Sequence, residues 1–131
     1  MRSYIHFLTL LAVTVAAPLS AQAGGPCQDS LTTYGMSTCL QARQQRADSL
    51  LNRYYAAARR HAVDPTRLRT AETAWIHFRD LNCEARASEW KGGSGQGLVQ
   101  SRCLHDMTVA RTHELWAAYL RTDGVLPEPG S

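Results

Sequence analysis

Lysine is almost missing from this chain: Lys91 is the only one among 131 residues, and the other 13 basic residues are arginines. No block of bases and no stripe of bases interleaved with aromatics occurs, which removes the usual footprint of nucleic-acid binding. There is no CxxC pair, so a zinc ribbon has no support, and no CxxCH for covalent haem. Neither HExxH nor paired ExxH motifs are present, and no GxSxG elbow surrounds a serine. No useful alternation of apolar and polar residues marks a strand, and no internal repeat appears. These absences point away from a cofactor, a metal or catalysis.

The first residues read as an export signal. A basic Met1-Arg2 start precedes an almost wholly apolar run from Phe7 to Leu19. Ala21-Gln22-Ala23 then offers small residues at the two positions a signal peptidase reads. The run is too short to span a bilayer, so no stable membrane anchor is expected after cleavage. Removal of residues 1–23 leaves 108 residues, a single small domain with 13 bases and 11 acids. Such a domain has an unfavourable surface-to-volume ratio and gains from crosslinks. All four cysteines, Cys27, Cys39, Cys83 and Cys103, lie in this part. An even count in an exported chain favours two disulfides, in any of three connectivities. Cys27–Cys39 with Cys83–Cys103 is the favoured pairing, because each bond closes a local loop.

Three helical stretches are separated by breakers. The first spans about Ser37 to His61, with Leu40, Ala47, Leu51, Tyr54 and Ala58 at helical spacing. A short turn or helix around Ser30–Tyr34 is expected before it, ending at Gly35. Asp64-Pro65 can cap and start the second, which runs to about Trp90. Leu68, Ala71, Trp75, Phe78 and Ala85 form its expected buried stripe. The glycine-rich segment Lys91–Gly97 ends it. The third runs from about Leu98 to Arg121, with Gly124 as a stop signal. The fold expected is an all-α antiparallel bundle of three long helices, stapled by two disulfides. Its domain covers residues 24–124, and residues 125–131, with Pro127 and Pro129, read as a loose tail.

Two kinds of polar group compete for a role. His77 with Asp80 could be half of an acid–base relay, but its nucleophile would have to come from Ser94 or Ser101, neither in a supporting context. His77, Asp80 and Glu84, or His105 with Asp106, or His113 with Glu114, could line helix faces. Such groups on helix surfaces are usually solvated. The stronger set is structural. Asp48 and Asn52, Arg79 and Asp80, and Arg111 fall on three different helices. Arg111 lies on the apolar side of the third, and a partly buried arginine must find a carboxylate. Asp48 or Asp80 is the natural partner. An interhelical network that fixes helix register is the expectation. The segment Lys91-Gly92-Gly93-Ser94 is the candidate interaction loop, where glycines permit close backbone approach and Lys91 and Ser94 supply donors.

One constellation is distinctive as a whole. Cys27 and Cys39 are followed by Ala47-Asp48, Leu51-Asn52 and Tyr55. Then come Ala74-Trp75-Ile76-x-Phe78-Arg79-Asp80-x-x-Cys83, Gly92-Gly93-Ser94, Cys103-Leu104, Met107-Thr108, Arg111 and Leu115. This resembles the LprI-like lysozyme inhibitor N-terminal domain family, small exported helical proteins of bacterial envelopes. The resemblance runs from about Cys27 to Tyr119. It implies a helical bundle and a periplasmic or secreted protein-binding domain, with a lysozyme as the implied partner and no catalysis. The alternative is a periplasmic structural or stress-related module that binds an envelope component.

Overall fold

The computed structural model describes residue 27, residues 32–122 and residues 124–130. The expected signal peptide lies outside these residues. Three helices make the fold: α1 (Thr33–His61), α2 (Pro65–Ser88) and α3 (Gln96–Tyr119), with no strand among the described residues.

Local chemistry sets each boundary. The Thr32 hydroxyl accepts from the Gly35 amide at 3.0 Å, so α1 starts there and runs straight through Gly35. Gly35 was expected as a stop; inside a capped first turn it only lowers helix propensity. Arg59, Arg60 and His61 occupy the last turn, where cations suit the carbonyl end of the dipole. Asp64 Oδ1 accepts from the amides of Thr66 (3.1 Å) and Arg67 (2.9 Å), and Pro65 holds the first helical position. This matches the cap read from the sequence.

The helices run up, down and up. Leu51, Ala58, Leu68 and Leu115 form one core cluster, which places the end of α1, the start of α2 and the end of α3 at one level. Cys83–Cys103 closes the opposite end. The most extensive packing is between α1 and α3, and α1 touches α2 least. Ala57 and Ala58 are buried on α1, and their small side chains let a neighbouring helix approach closely. Both disulfides, Cys27–Cys39 and Cys83–Cys103, are formed, with Cα separations of 5.7 and 5.5 Å.

Two expectations are corrected. Within the tail expected to be loose, Leu126, Pro127 and Pro129 are docked on the core. The Tyr54 hydroxyl donates to the Pro127 carbonyl at 2.7 Å, and Trp116 Nε1 donates to the Leu126 carbonyl at 3.2 Å. Leu126 packs against Tyr54, Ala57 and Leu120, and Pro129 is buried. Two ring donors at the edge of the core thus find the carbonyls that prolines leave outside any helix. Tyr54→Phe is expected to cost about 1 kcal/mol and to speed carboxypeptidase trimming; an unchanged melting curve and trimming rate would show the docking to be incidental.

The second correction concerns the rotation of α2. Leu68 is buried and Trp75 half-buried, but Phe78 is 58% exposed, and Ala71 and Ala85 also face outward. The inward face instead carries Leu68, Glu72, Trp75, Arg79 and Cys83. The bond to Cys103 holds Cys83 inside, and positions four, eight and eleven residues earlier turn inward with it. Glu72 and Arg79 can occupy that face because other helices supply their partners.

Candidate functional site

Two polar constructions meet at α2. The first is the interhelical network. Arg79 Nη1 donates to Asp48 Oδ1 on α1 and to Thr108 Oγ1 on α3, each at 2.9 Å. Its Nε donates to Asp80 Oδ1 at 2.9 Å. Gln44 Nε2 donates to the other oxygen of Asp48 at 3.0 Å. One guanidinium therefore ties all three helices at mid-height.

Arg111 forms the second node, with a partner the sequence did not suggest. Its Nε and Nη2 both lie 2.9 Å from Glu72 Oε2, and Nη1 donates to Glu114 at 3.0 Å. Asp48 and Asp80 are already held by Arg79. Glu72 precedes Arg79 by seven residues and so shares its face; on antiparallel helices it meets the part of α3 beyond Thr108. That heptad offset was the available signal. The indole of Trp75 lies between the nodes in chain order, with the Arg79 and Arg111 guanidinium carbons 5.4 and 5.7 Å from its centroid. Burial alone would lower the Arg111 pKa, but Glu114 and Glu72 together outweigh it and hold the guanidinium above its ordinary range. Asn52 stands apart from the network: it is exposed, with no side-chain hydrogen bond among the described residues.

The second construction is the loop between α2 and α3. Lys91, Gly92, Gly93 and Ser94 are all exposed, and neither Lys91 Nζ nor Ser94 Oγ has a protein partner among the described residues. The turn is closed by backbone bonds: Lys91 N to Ser88 O at 3.1 Å and Gly93 N to Trp90 O at 3.0 Å. Gly92 has φ +81°, a conformation that glycine adopts without strain. Trp90, passed over in the sequence, is 56% exposed. Its indole rests on Gly95, where an added Cβ would come within 3.2 Å of the ring. The loop thus presents an exposed aromatic ring next in sequence to the chain's only lysine. Five residues before the end of α2 and seven after the start of α3, Cys83 and Cys103 clamp its stems.

The acid–base fragments do not converge. Asp80 is engaged by Arg79, and exposed His77 has no side-chain partner among the described residues. His105 pairs with Asp106 at 2.9 Å. Among the described residues no group of three His, Cys, Asp or Glu is placed to hold a metal ion, and no helix is long and apolar enough to cross a membrane.

Comparison with known proteins agrees with the resemblance noted in the sequence. The family model described as lysozyme inhibitor LprI matches residues 26–115. An uncharacterized protein of Rhizobium meliloti (strain 1021) is 31% identical over 131 residues, covering 88% of this chain and 94% of the relative. No solved structure gives a significant match.

Proposed function

The chain belongs to the lysozyme inhibitor LprI family, and from that premise we propose that it is an exported, non-catalytic protein-binding domain that inhibits a lysozyme through the α2–α3 loop. The observation that carries this reading is the exposed pair Trp90 and Lys91 on a turn whose stems are locked by a buried disulfide. A preorganised loop loses little entropy on binding, and tryptophan is among the residue types enriched at interface hot spots. Lysozyme cuts glycan with two carboxylates in a cleft. A thin glycine turn can carry Lys91 Nζ and Ser94 Oγ toward them, with Trp90 packed on the rim. The same reading places the protein in the periplasm or outside the cell. The Arg79 and Arg111 nodes hold the helices in register and so keep the loop stems in place.

The test is a lysis assay with purified lysozyme. Wild type is expected to inhibit, and Lys91→Ala/Ser94→Ala and Trp90→Ala are each expected to weaken inhibition at least tenfold without lowering the melting temperature. Full lysozyme activity at excess wild-type protein would reject the reading. A second reading, a module that binds an anionic envelope component, has one observation in its favour. Arg46, Arg53 and Arg60 recur every seven residues along the exposed side of α1 without an acidic partner among the described residues. Co-sedimentation with peptidoglycan, abolished by neutralising these arginines, would favour it over the first.

A further inference from the structure

The outward face of α2 carries a regular seam. Ala71, Ala74, Phe78, Leu81 and Ala85 are all exposed, with Phe78 at 58% and Leu81 at 52%. Their spacings alternate three and four, which is the repeat of a helix that packs along a straight partner helix. None of them belongs to either core cluster. The C-terminal segment does not cover them, since it is held by Tyr54 and Trp116. Two bulky residues sit at the centre and alanines flank them, so a second helix could approach closely along the whole seam.

We infer that this face pairs with the same face of a second copy of the chain, with the two α2 helices antiparallel. The flanking polar residues select the copy and the direction. In an antiparallel pairing centred between Phe78 and Leu81, Phe78 meets the partner's Leu81, and Ala74 meets the partner's Ala85. The flanking position of His77 then falls opposite the partner's Glu84, and by symmetry Glu84 falls opposite the partner's His77. Both side chains are exposed and neither is engaged within its own chain among the described residues. A parallel pairing would instead set Glu84 beside the partner's Glu89, a like-charge contact that disfavours it. The antiparallel arrangement has two-fold symmetry, so each contact occurs twice and the interface closes on itself. It also gives His77 a role that the single chain does not. The seam is short and rich in alanine, which places the dimer at the weak end, burying about 1,200 Å² in total or less.

Sedimentation equilibrium of the purified protein tests this. Half-association is expected on the order of 0.1 mM. Leu81→Glu is expected to raise that concentration at least tenfold while the circular dichroism spectrum and melting temperature stay unchanged, because the site is solvent-exposed. His77→Glu is expected to weaken association about fivefold by setting two glutamates against each other, and His77→Glu/Glu84→Lys to restore it by setting glutamate against lysine. A monomer at every concentration up to about ten times the expected midpoint would overturn the inference. Association that ignores Leu81→Glu would overturn the seam, and association that ignores the charge exchange would overturn the antiparallel register.

Discussion

Arg111→Met is expected to cost about 3 kcal/mol of folding stability, and to lower the melting temperature by more than about 10 °C. Arg111 and Glu72 are both largely buried, with side chains 16% and 5% exposed. Glu72 Oε2 is held by Arg111, while its Oε1 is buried with no hydrogen-bond partner. Without the guanidinium, the carboxylate would be left charged in a poorly solvated site, or would have to take up a proton to stay folded. Breaking such a pair costs far more than an exposed ion pair is worth. Replacing both members is different. Glu72→Met/Arg111→Met removes the stranded charge and refills the volume, so it should recover most of the loss. A double-mutant cycle by denaturant unfolding checks both statements, and an Arg111→Met protein as stable as wild type would remove the network from any account of this fold. Acidity offers no substitute for the mutation at this residue. The folded-state pKa of Arg111 is raised, so its contribution is fully present below the ordinary arginine range and is lost only as pH rises through strongly alkaline values.

The second large effect belongs to Cys83–Cys103. Replacing both cysteines by alanine is expected to cost about 3 kcal/mol from the freed loop entropy of the unfolded chain. The two residues are 20 apart in sequence, and their relative exposures are 0% and 4%. Lost sulfur packing at a buried position adds to that cost. The bond does more than hold two helices. It sets the rotation of α2 and clamps the stems of the loop bearing Trp90 and Lys91. On the proposed function, lysozyme inhibition should therefore fall in the double-alanine protein even at temperatures where it remains folded. Differential scanning calorimetry with and without reductant, and the lysis assay at low temperature, measure the two consequences separately. Equal melting temperatures for oxidised and reduced protein would show that the helices hold this end unaided.

The start of α2 was legible because it is a local event, whereas α1 begins at Thr33, ahead of the start expected near Ser37. Asp64-Pro65 caps and begins α2 using only its own next residues, and the glycines after Lys91 mark the break, although α2 already ends at Ser88, before the first of them. The turn between α2 and α3 was legible from its glycines, whereas the exposure of Trp90 was not, because an aromatic at a helix end reads equally well as core. The two nodes were half legible. Arg79, Asp80 and Asp48 were singled out and meet in space. Arg111 was recognised as partly buried, but Glu72 was missed because a lone glutamate on an apolar face carries no mark of its partner.

By itself the sequence determined an all-α chain of three long helices, two short-range crosslinks and a family. Each of these depends on residues near one another in the chain, or on a pattern of spacings. Only the tertiary structure decided which face of α2 is inside. Two stripes compete there: Ala71, Phe78 and Leu81 on one side, and Leu68, Glu72, Trp75 and Arg79 on the other. Hydrophobicity favours burying the first. The second is buried because Asp48 and Arg111 neutralise its charges across helix interfaces, Thr108 accepts a hydrogen bond from Arg79, and Cys103 anchors Cys83. The cost of burying a charge depends on a partner many residues away, so a helical pattern read along one segment cannot contain it.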